Sequence, residues 1–335
     1  MRKSSRALMA GHRDPIPIDN GWEHDDDDDD ESTLGADSHK SLASSITKYR
    51  YENGRRYHAY REGHYWQPND DQMNQLQNIS HHLFLLTLND KLFLAPLKDP
   101  KRVIDIGTGT GIWAMDFADQ FPNAEVIGTD LSPIQTPTPP INLHFEIDDC
   151  CSPWTYEKDY FDFIHVCQMY GSVADWPAFY RESYEHLKPG GWIEQAEINP
   201  NCRSATDPFP PDSMWAECGK RATQCGELFG KTMTIEETMT SLIQQAGFVD
   251  VVEKRFRWPF GAWAEDKRLK DIGRWQLHHW EEGLEGWTMA LMTRCLGWSY
   301  EQVKQWNAEM KKTVRDKRWK AYQDVRVVYA RKPLS

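Results

Sequence analysis

Arg102-Val-Ile-Asp-Ile-Gly-Thr-Gly-Thr-Gly111, followed by Ile112-Trp-Ala-Met115, is the stretch that decides the fold. Val103 to Ile106 read as a short buried strand. Gly107, Gly109 and Gly111 read as a tight turn, and the run after them as a helix that Pro122 ends. Strand, glycine turn and helix together make a nucleotide-sized site, because glycine lets a ligand approach the backbone and a helix N-terminus offers unpaired N–H groups.

Outward from this turn the chain alternates strands and helices. Glu125-Val-Ile-Gly-Thr-Asp130 is a second strand ending in an acid, placed where a carboxylate can accept both hydroxyls of a ribose. Leu143 to Ile147 is a third strand, followed by Asp148-Asp149-Cys150, and Phe161 to Val166 is a fourth. A helix then starts at Asp175 with Pro177 in its first turn and stops at Lys188-Pro-Gly-Gly191, before a fifth strand over Trp192 to Ala196. This alternation implies βαβ units and a mostly parallel sheet. Thr234 and Glu237 have capping-box spacing at the start of a further helix, and Val249 to Trp258 and Val325 to Ala330 read as the last strands. Between them lies a helical insertion (260–320) holding Trp275, Trp280, Trp287, Trp298, Trp306 and Trp319. Core packing is the preferred use of these indoles, and an aromatic ligand wall is the alternative.

Upstream, residues 1–45 carry an acidic run, Asp25 to Glu31, and a Ser-rich stretch with few apolar residues, and they read as a disordered tail. Residues 46–100 read as a helical segment that can close over the site as a lid. In it Asn69 is the expected N-cap of a helix with Leu76, Ile79, Leu83 and Leu86 on one stripe. On that wheel His82 borders the stripe and His81 points away; a hydrogen-bonded, partly buried His82 is preferred to a catalytic one. Residues 101–335 form the cofactor-binding domain with its insertion.

Composition sets bounds. With 335 residues and a formal net charge of −12, the chain can form one elaborated domain, and its charge has the wrong sign for a nucleic-acid backbone as main partner. Its seven Cys include no CxxC pair, so neither a disulfide framework nor a metal site is expected. Met1 to Ala10 lacks the apolar core of a signal peptide, and the most apolar stretch, Leu83 to Leu97, is broken by Asn89, Asp90 and Lys91. The expectation is an intracellular protein, nuclear or cytoplasmic, with no membrane partner.

Spacing separates the nucleotide cofactors. A dinucleotide fingerprint wants glycine at the sixth position, and here that position is Ile112. No Gly-Lys-Ser/Thr follows the turn, which excludes a Walker loop. Asp105 would repel a pyrophosphate and suits a ligand with an ammonium group. S-adenosylmethionine (SAM) has an ammonium, a sulfonium, a ribose and an adenine, and no phosphate.

Asp105-Ile-Gly-Thr-Gly-Thr-Gly111, Asp130-Leu131, Asp149-Cys150, Phe161-Asp-Phe-Ile164 and Leu187-Lys-Pro-Gly-Gly-Trp192 resemble, in order and spacing, the motifs of class I SAM-dependent methyltransferases. Gly54-Arg-Arg-Tyr-His-Ala-Tyr60, Pro68-Asn-Asp-Asp71, His81-His-Leu-Phe-Leu-Leu86 and Asp175-Trp-Pro177 further resemble the fungal LaeA-like members. The resemblance implies a Rossmann-like sheet of seven mostly parallel strands with an antiparallel last strand. It implies that Gly107, Thr108, Gly109 and Gly111 approach the methionine part of SAM and that Asp105 faces its ammonium. Asp130 would take the ribose hydroxyls, Leu131 would lie against the adenine, Asp149 would accept from the adenine amino group, and the Cys150 N–H would reach its ring. LaeA-like relatives act in nuclear complexes controlling secondary metabolism and development. That implies a regulatory protein complex as partner, with a small molecule or a protein as methyl acceptor.

The acceptor side is less defined. Val166-Cys-Gln-Met-Tyr170 stands where amine methyltransferases of nucleic acids carry Asn/Asp-Pro-Pro-Tyr/Phe, which argues against DNA or RNA as acceptor. His165, Gln168 and Tyr170 fall at the C-terminal edge of the fourth strand, where ligands bind in open α/β sheets. With His82 they are the candidates for catalytic contact, a buried structural His165 being the default.

Overall fold

Val103, Ile104 and Ile106 are buried, and β3 (Arg102–Ile106), the strand they form, lies in the middle of an open sheet. The structure, a computed structural model, describes residues 48–334; the expected tail, residues 1–45, lies outside the described residues. Ahead of β3, β1 (Arg50–Glu52) and β2 (Arg55–Tyr57) form an antiparallel hairpin. β3 pairs in parallel with β4 (Glu125–Asp130) and with β6 (Phe161–Cys167), β4 with β5 (Leu143–Ile147), and β6 with β7 (Leu187–Ile198). β10 (Ala321–Arg331) runs antiparallel to β7 and to β9 (Val249–Pro259). The two-residue β8 (Arg203–Ser204) also pairs with β10, making eight strands where seven were expected. The order β5-β4-β3-β6-β7-β10 reverses between β3 and β6, and that switch point opens a crevice at the strand C-termini.

Helices cover both faces because the strands are apolar on both. Val103, Val126 and Phe163 point to one face, against Trp113, Ala114 and Phe117 of α2 (Ile112–Gln120) once α1 (Asp71–Thr87) has crossed the crevice. Ile104, Ile127 and Ile164 point to the other, against Phe179 and Tyr180 of α3 (Trp176–His186) and Met239 and Ile243 of α5 (Ile235–Gln245), which follows α4 (Met214–Phe229). Asp175 caps α3 as expected, accepting from the Ala178 amide at 2.9 Å.

Three local expectations fail. Asp70, not Asn69, caps α1, accepting from the Met73 amide at 3.1 Å, while Asn69 is buried and donates to Ser132 Oγ at 3.1 Å. The buried stripe of α1 is Met73, Leu76, Ser80, Leu83, Phe84 and Thr87; Ile79 and Leu86 are only half-buried. Thr234 precedes α5 without a side-chain cap, its hydroxyl lying against Thr232 Oγ1 at 3.3 Å, and Glu237 accepts from Asn199 Nδ2 at 2.9 Å instead of closing a box. A capping box instead opens α7 (Tyr300–Val314), where Ser299 and Gln302 bond each other's backbone.

The insertion, α6 (Lys267–Leu296) and α7, packs with α4 around a second core that includes Trp215, Phe260, Trp280, Met289 and Met310. α6 lies along α1, so close that a Cβ at Gly286 would collide with Met73. Arg294 pairs with Glu52 at 2.8 Å and Arg55 forks onto Asp70 at 2.5 and 2.8 Å, tying the insertion and hairpin to the wall that α1 makes.

Candidate active site

The glycine turn works through its backbone. Gly107, Gly109 and Gly111 have φ of +69°, +57° and +79°, the left-handed region that side chains rarely adopt. A Cβ on them would strike Met169, Gln77 and Phe145 respectively. Gly107, Thr108 and Gly109 line the crevice. Gly111 does not; it sits at the N-cap of α2 over the Phe145 ring.

Asp130, at the end of β4, accepts from the Gly109 amide at 2.9 Å and the Ser132 amide at 3.0 Å. Burial pushes its carboxyl up to about 6 in spite of those amides. Asp105 is 3 % exposed; one oxygen meets His165 Nδ1 at 2.7 Å and the other accepts from Thr108 Oγ1 at 2.7 Å. Each carboxylate oxygen keeps a second lone pair, so Asp105 can still accept from a ligand. The His165 ring stacks on Trp113 at 3.7 Å and 4°, fixed on its face and at Nδ1. That is the structural role rather than that of a free base.

Leu131, Asp149 and Cys150 lie farther along the same wall. Asp149 accepts from the Cys151 amide at 3.0 Å and faces Arg61 at 3.6 Å. Asp149, Cys150 and Cys151 bring three potential ligand atoms within 4.8 Å of one another, a cluster of adjacent residues without CxxC spacing. A hydrogen bond with Cys150 lowers the Cys151 thiol to about 7, while the Cys150 thiol is raised.

Directly after β6, beside the glycine turn, Gln168 has a left-handed φ of +53° and accepts from Ser80 Oγ at 2.5 Å. The Met169 and Tyr170 amides donate to Glu197 at 3.1 and 3.2 Å. Burial pushes Glu197 up to about 8 and Glu194, on the crevice floor, up to about 7. The placement of the two histidines on α1 is reversed from expectation. His81 lines the crevice and bonds Asp116 at 3.0 Å, whereas His82 meets Trp275 edge-on at 4.9 Å and does not line it. The cause is the rotated apolar stripe of α1.

Gln77, Ser80, His81, Glu194, Lys231, His279 and Trp287 are among the other residues lining the crevice and were missed. Gln77, Ser80 and His81 stand at i, i+3 and i+4, a polar stripe that could have marked a site-facing helix. Glu194 and Glu197 are carboxylates inside a strand buried on both faces, a second usable signal. The crevice holds about 1590 Å³ of empty space, solvent at its mouth included. Its residues fit SAM: a glycine turn that brings backbone to the crevice at Gly107 and Gly109, and the carboxylates of Asp105 and Asp130 near the ends of β3 and β4.

Residues 79–253 match the model of a family described as a methyltransferase domain. The methyltransferase pytC of Aspergillus terreus is 41% identical over 296 residues, 88% of this chain and 91% of that protein. The secondary metabolism regulator LAE1 of Cochliobolus heterostrophus is 38% identical over 291 residues, 84% and 94%. The protein-methionine methyltransferase laeA of Emericella nidulans is 34% identical over 295 residues, 87% and 78%. Similarity of this extent takes in the hairpin, α1 and the insertion as well as the sheet, and the chain belongs to the fungal LaeA-like class I methyltransferases.

Proposed function

We propose that this methyltransferase acts as a LaeA-like regulator of fungal secondary metabolism and development within a nuclear protein complex, with residues 46–100 as a lid over its cofactor. The observation that carries the enzymatic part is the convergence of the glycine turn, Asp105, Asp130 and Asp149 on one crevice that Gln168 and Tyr170 also line. The regulatory part is supported by relatives named as regulators that align well beyond the matched domain.

SAM, when bound, supplies a methyl carbon on a sulfonium sulfur that leaves as a neutral thioether, so no base is obligatory. The chain's part is alignment and exclusion of water. The cradle admits the ligand to the backbone. Asp130, held by two amides, offers its remaining lone pairs to ribose hydroxyls, and Asp149 offers an acceptor beside the adenine. Glu197 fixes the Met169 and Tyr170 amides, which sets the acceptor-side loop after β6.

Calorimetry with SAM and with NAD tests the enzymatic part. The expected result is SAM binding that Gly109→Val and Asp130→Ala weaken; binding of NAD and not SAM would overturn it. Nuclear imaging with partner pull-down tests the regulatory part, which a cytoplasmic protein without stable partners would sink. A second reading, methylation of a small secondary metabolite, is favoured by an apolar cavity that shares Tyr170, His279 and Trp287 with the crevice. Loss of one methylated metabolite in a deletion strain, with no wider change in metabolite production, would establish it.

A further inference from the structure

We infer that Cys150 and Cys151 form a redox-sensitive modification site at the end of the crevice assigned to the adenine: a hydroperoxide oxidises Cys151, Cys150 closes a disulfide onto it, and the crevice loses its hold on the cofactor. The oxidation stands on the geometry of the two thiols, and its effect on the cofactor rests on the methyltransferase reading.

All seven Cys lie within the described residues, and Cys151 is the one that is exposed. The two sulfurs and an Asp149 carboxylate oxygen lie within 4.8 Å of one another, and the Cys150 thiol donates to the Cys151 sulfur. That hydrogen bond is the largest cause lowering the Cys151 thiol to about 7; the Ala174 amide and Lys231 act in the same sense, burial and Asp149 against it. Arg61, at 3.6 Å, offsets the charge of Asp149. The cysteines outside this pair are all raised by burial. A thiolate open to solvent, with a second thiol beside it, is the arrangement of a sensor cysteine and its resolving partner.

The steps balance with hydrogen peroxide as the oxidant. The Cys151 thiolate attacks one peroxide oxygen, an S–O bond forms, the O–O bond breaks, and the hydroxide that leaves takes a proton from solvent. The Cys150 sulfur then attacks the Cys151 sulfur; the S–S bond forms, the S–O bond breaks, and hydroxide leaves as water with the Cys150 proton. The dithiol is oxidised and the peroxide reduced to water. Asp149 and Cys150 line the crevice, and Asp149 is held by the Cys151 amide at 3.0 Å. Adjacent Cα atoms stand about 3.8 Å apart, closer than the roughly 4.4–6.8 Å usual across a disulfide, so closing this small ring turns the peptide between the two cysteines. The turn takes the Cys151 amide off Asp149 and moves the Cys150 amide, which displaces both groups assigned to the adenine. The same strain makes the bond easy to reduce, so the modification reverses.

The test treats the reduced full chain with hydrogen peroxide, maps its cysteines by peptide mass spectrometry, and measures SAM affinity by calorimetry before and after. The expected result is loss of both thiol hydrogens from the peptide carrying Cys150 and Cys151, a fall in SAM affinity of at least about tenfold, and recovery of both with dithiothreitol. Cys151→Ser should bind SAM within about twofold of the reduced wild type and keep that affinity through the peroxide treatment. Cys150→Ser should stop at a sulfenic acid on Cys151, which dimedone traps. Wild-type protein whose Cys151 stays reduced, or is oxidised without a bond to Cys150, overturns the inference without any variant. A mapped Cys150–Cys151 bond that leaves SAM affinity within about twofold overturns the switch, as does a Cys151→Ser protein that loses affinity to peroxide as the wild type does. Failure of the reduced wild type to bind SAM overturns the methyltransferase reading instead, and the peptide map still decides the modification.

Discussion

The cofactor wall of the crevice comes from one run of chain, Asp105 to Cys150, whereas the facing wall draws on Tyr65, Ser80, Tyr170, Lys231, His279 and Trp287 from five separated segments. The first wall acts through backbone: three positive φ angles, two amides on Asp130, one carboxylate at the end of each of two neighbouring strands. The second acts through side chains whose positions depend on how α6 packs along α1. A contiguous backbone device tolerates little change. An assembled side-chain wall can vary residue by residue while the fold stays, which is how one fold serves different acceptors.

Gly107→Val tests the contrast most severely. A β-branched residue at φ +69° whose Cβ lands on Met169 must deform the turn. We expect a loss of SAM affinity of more than about 100-fold by calorimetry, on the order of 3 kcal/mol. Trp287→Leu, on the facing wall, should change SAM affinity less than about threefold. Equal losses would show that the two walls are one device. Asp130→Asn comes next, at about tenfold, because an amide cannot accept on both of its ends. Since burial raises the Asp130 carboxyl to about 6, wild-type SAM affinity should also fall as pH drops from 7 to 5, and the Asn variant should flatten that profile.

The same contrast explains what could be read in advance. The order of β3 to β7, the glycine turn and the acids after β4 and β5 follow from short-range periodicity and turn chemistry, so Asp105, Asp130 and Asp149 were found as residues of one wall. His81 and His82 were exchanged because a small rotation of α1 decides which faces inward, and α1 packs on α6 through contacts such as Met73 against Gly286, between residues far apart in the chain. His279 gave no local signal, being one of several polar residues in a long helix. In the Trp-rich insertion Trp280 and Trp306 pack in the second core, the preferred use, and also line the apolar cavity, while Trp275 is 39 % exposed.

The buried acids of β7 allow a stability test. Burial raises Glu194 to about 7 and Glu197 to about 8 from an unfolded value near 4.5, so the native state binds more protons than the unfolded state in between. Stability therefore rises as pH falls from about 8 toward 6.5. Below that His279 opposes it: its folded pKa is depressed to about 3, so the unfolded state takes up the proton first and stability is lost as pH falls further. A melting temperature about 3 °C higher at pH 6.5 than at pH 8 is expected, and Glu197→Gln should remove most of that difference. A flat wild-type profile would mean that the acids behind the facing wall are hydrated.

The smallest expected effect separates a helix of the sheet layer from one of the insertion by their caps alone. Thr234 and Ser299 both precede helices with Glu or Gln three residues on. Only Ser299 makes the reciprocal bonds, its Oγ accepting from the Gln302 amide at 3.2 Å while Gln302 Oε1 accepts from the Ser299 amide at 2.8 Å. The Thr234 side chain bonds no α5 amide, only its carbonyl accepting from the Glu237 amide at 3.0 Å, and the Glu237 carboxylate is spent on Asn199. Ser299→Ala should therefore cost about 1 kcal/mol in urea unfolding and Thr234→Ala less than about 0.3 kcal/mol. A reversed order would mean that α5 is capped as its local sequence suggests and that Asn199 holds Glu237 only weakly. Equal costs would mean that α7 is held by its packing on α6 rather than by its own end. In that case the facing wall, whose His279 and Trp287 ride on α6, would depend on tertiary contacts even more than its scattered sequence implies.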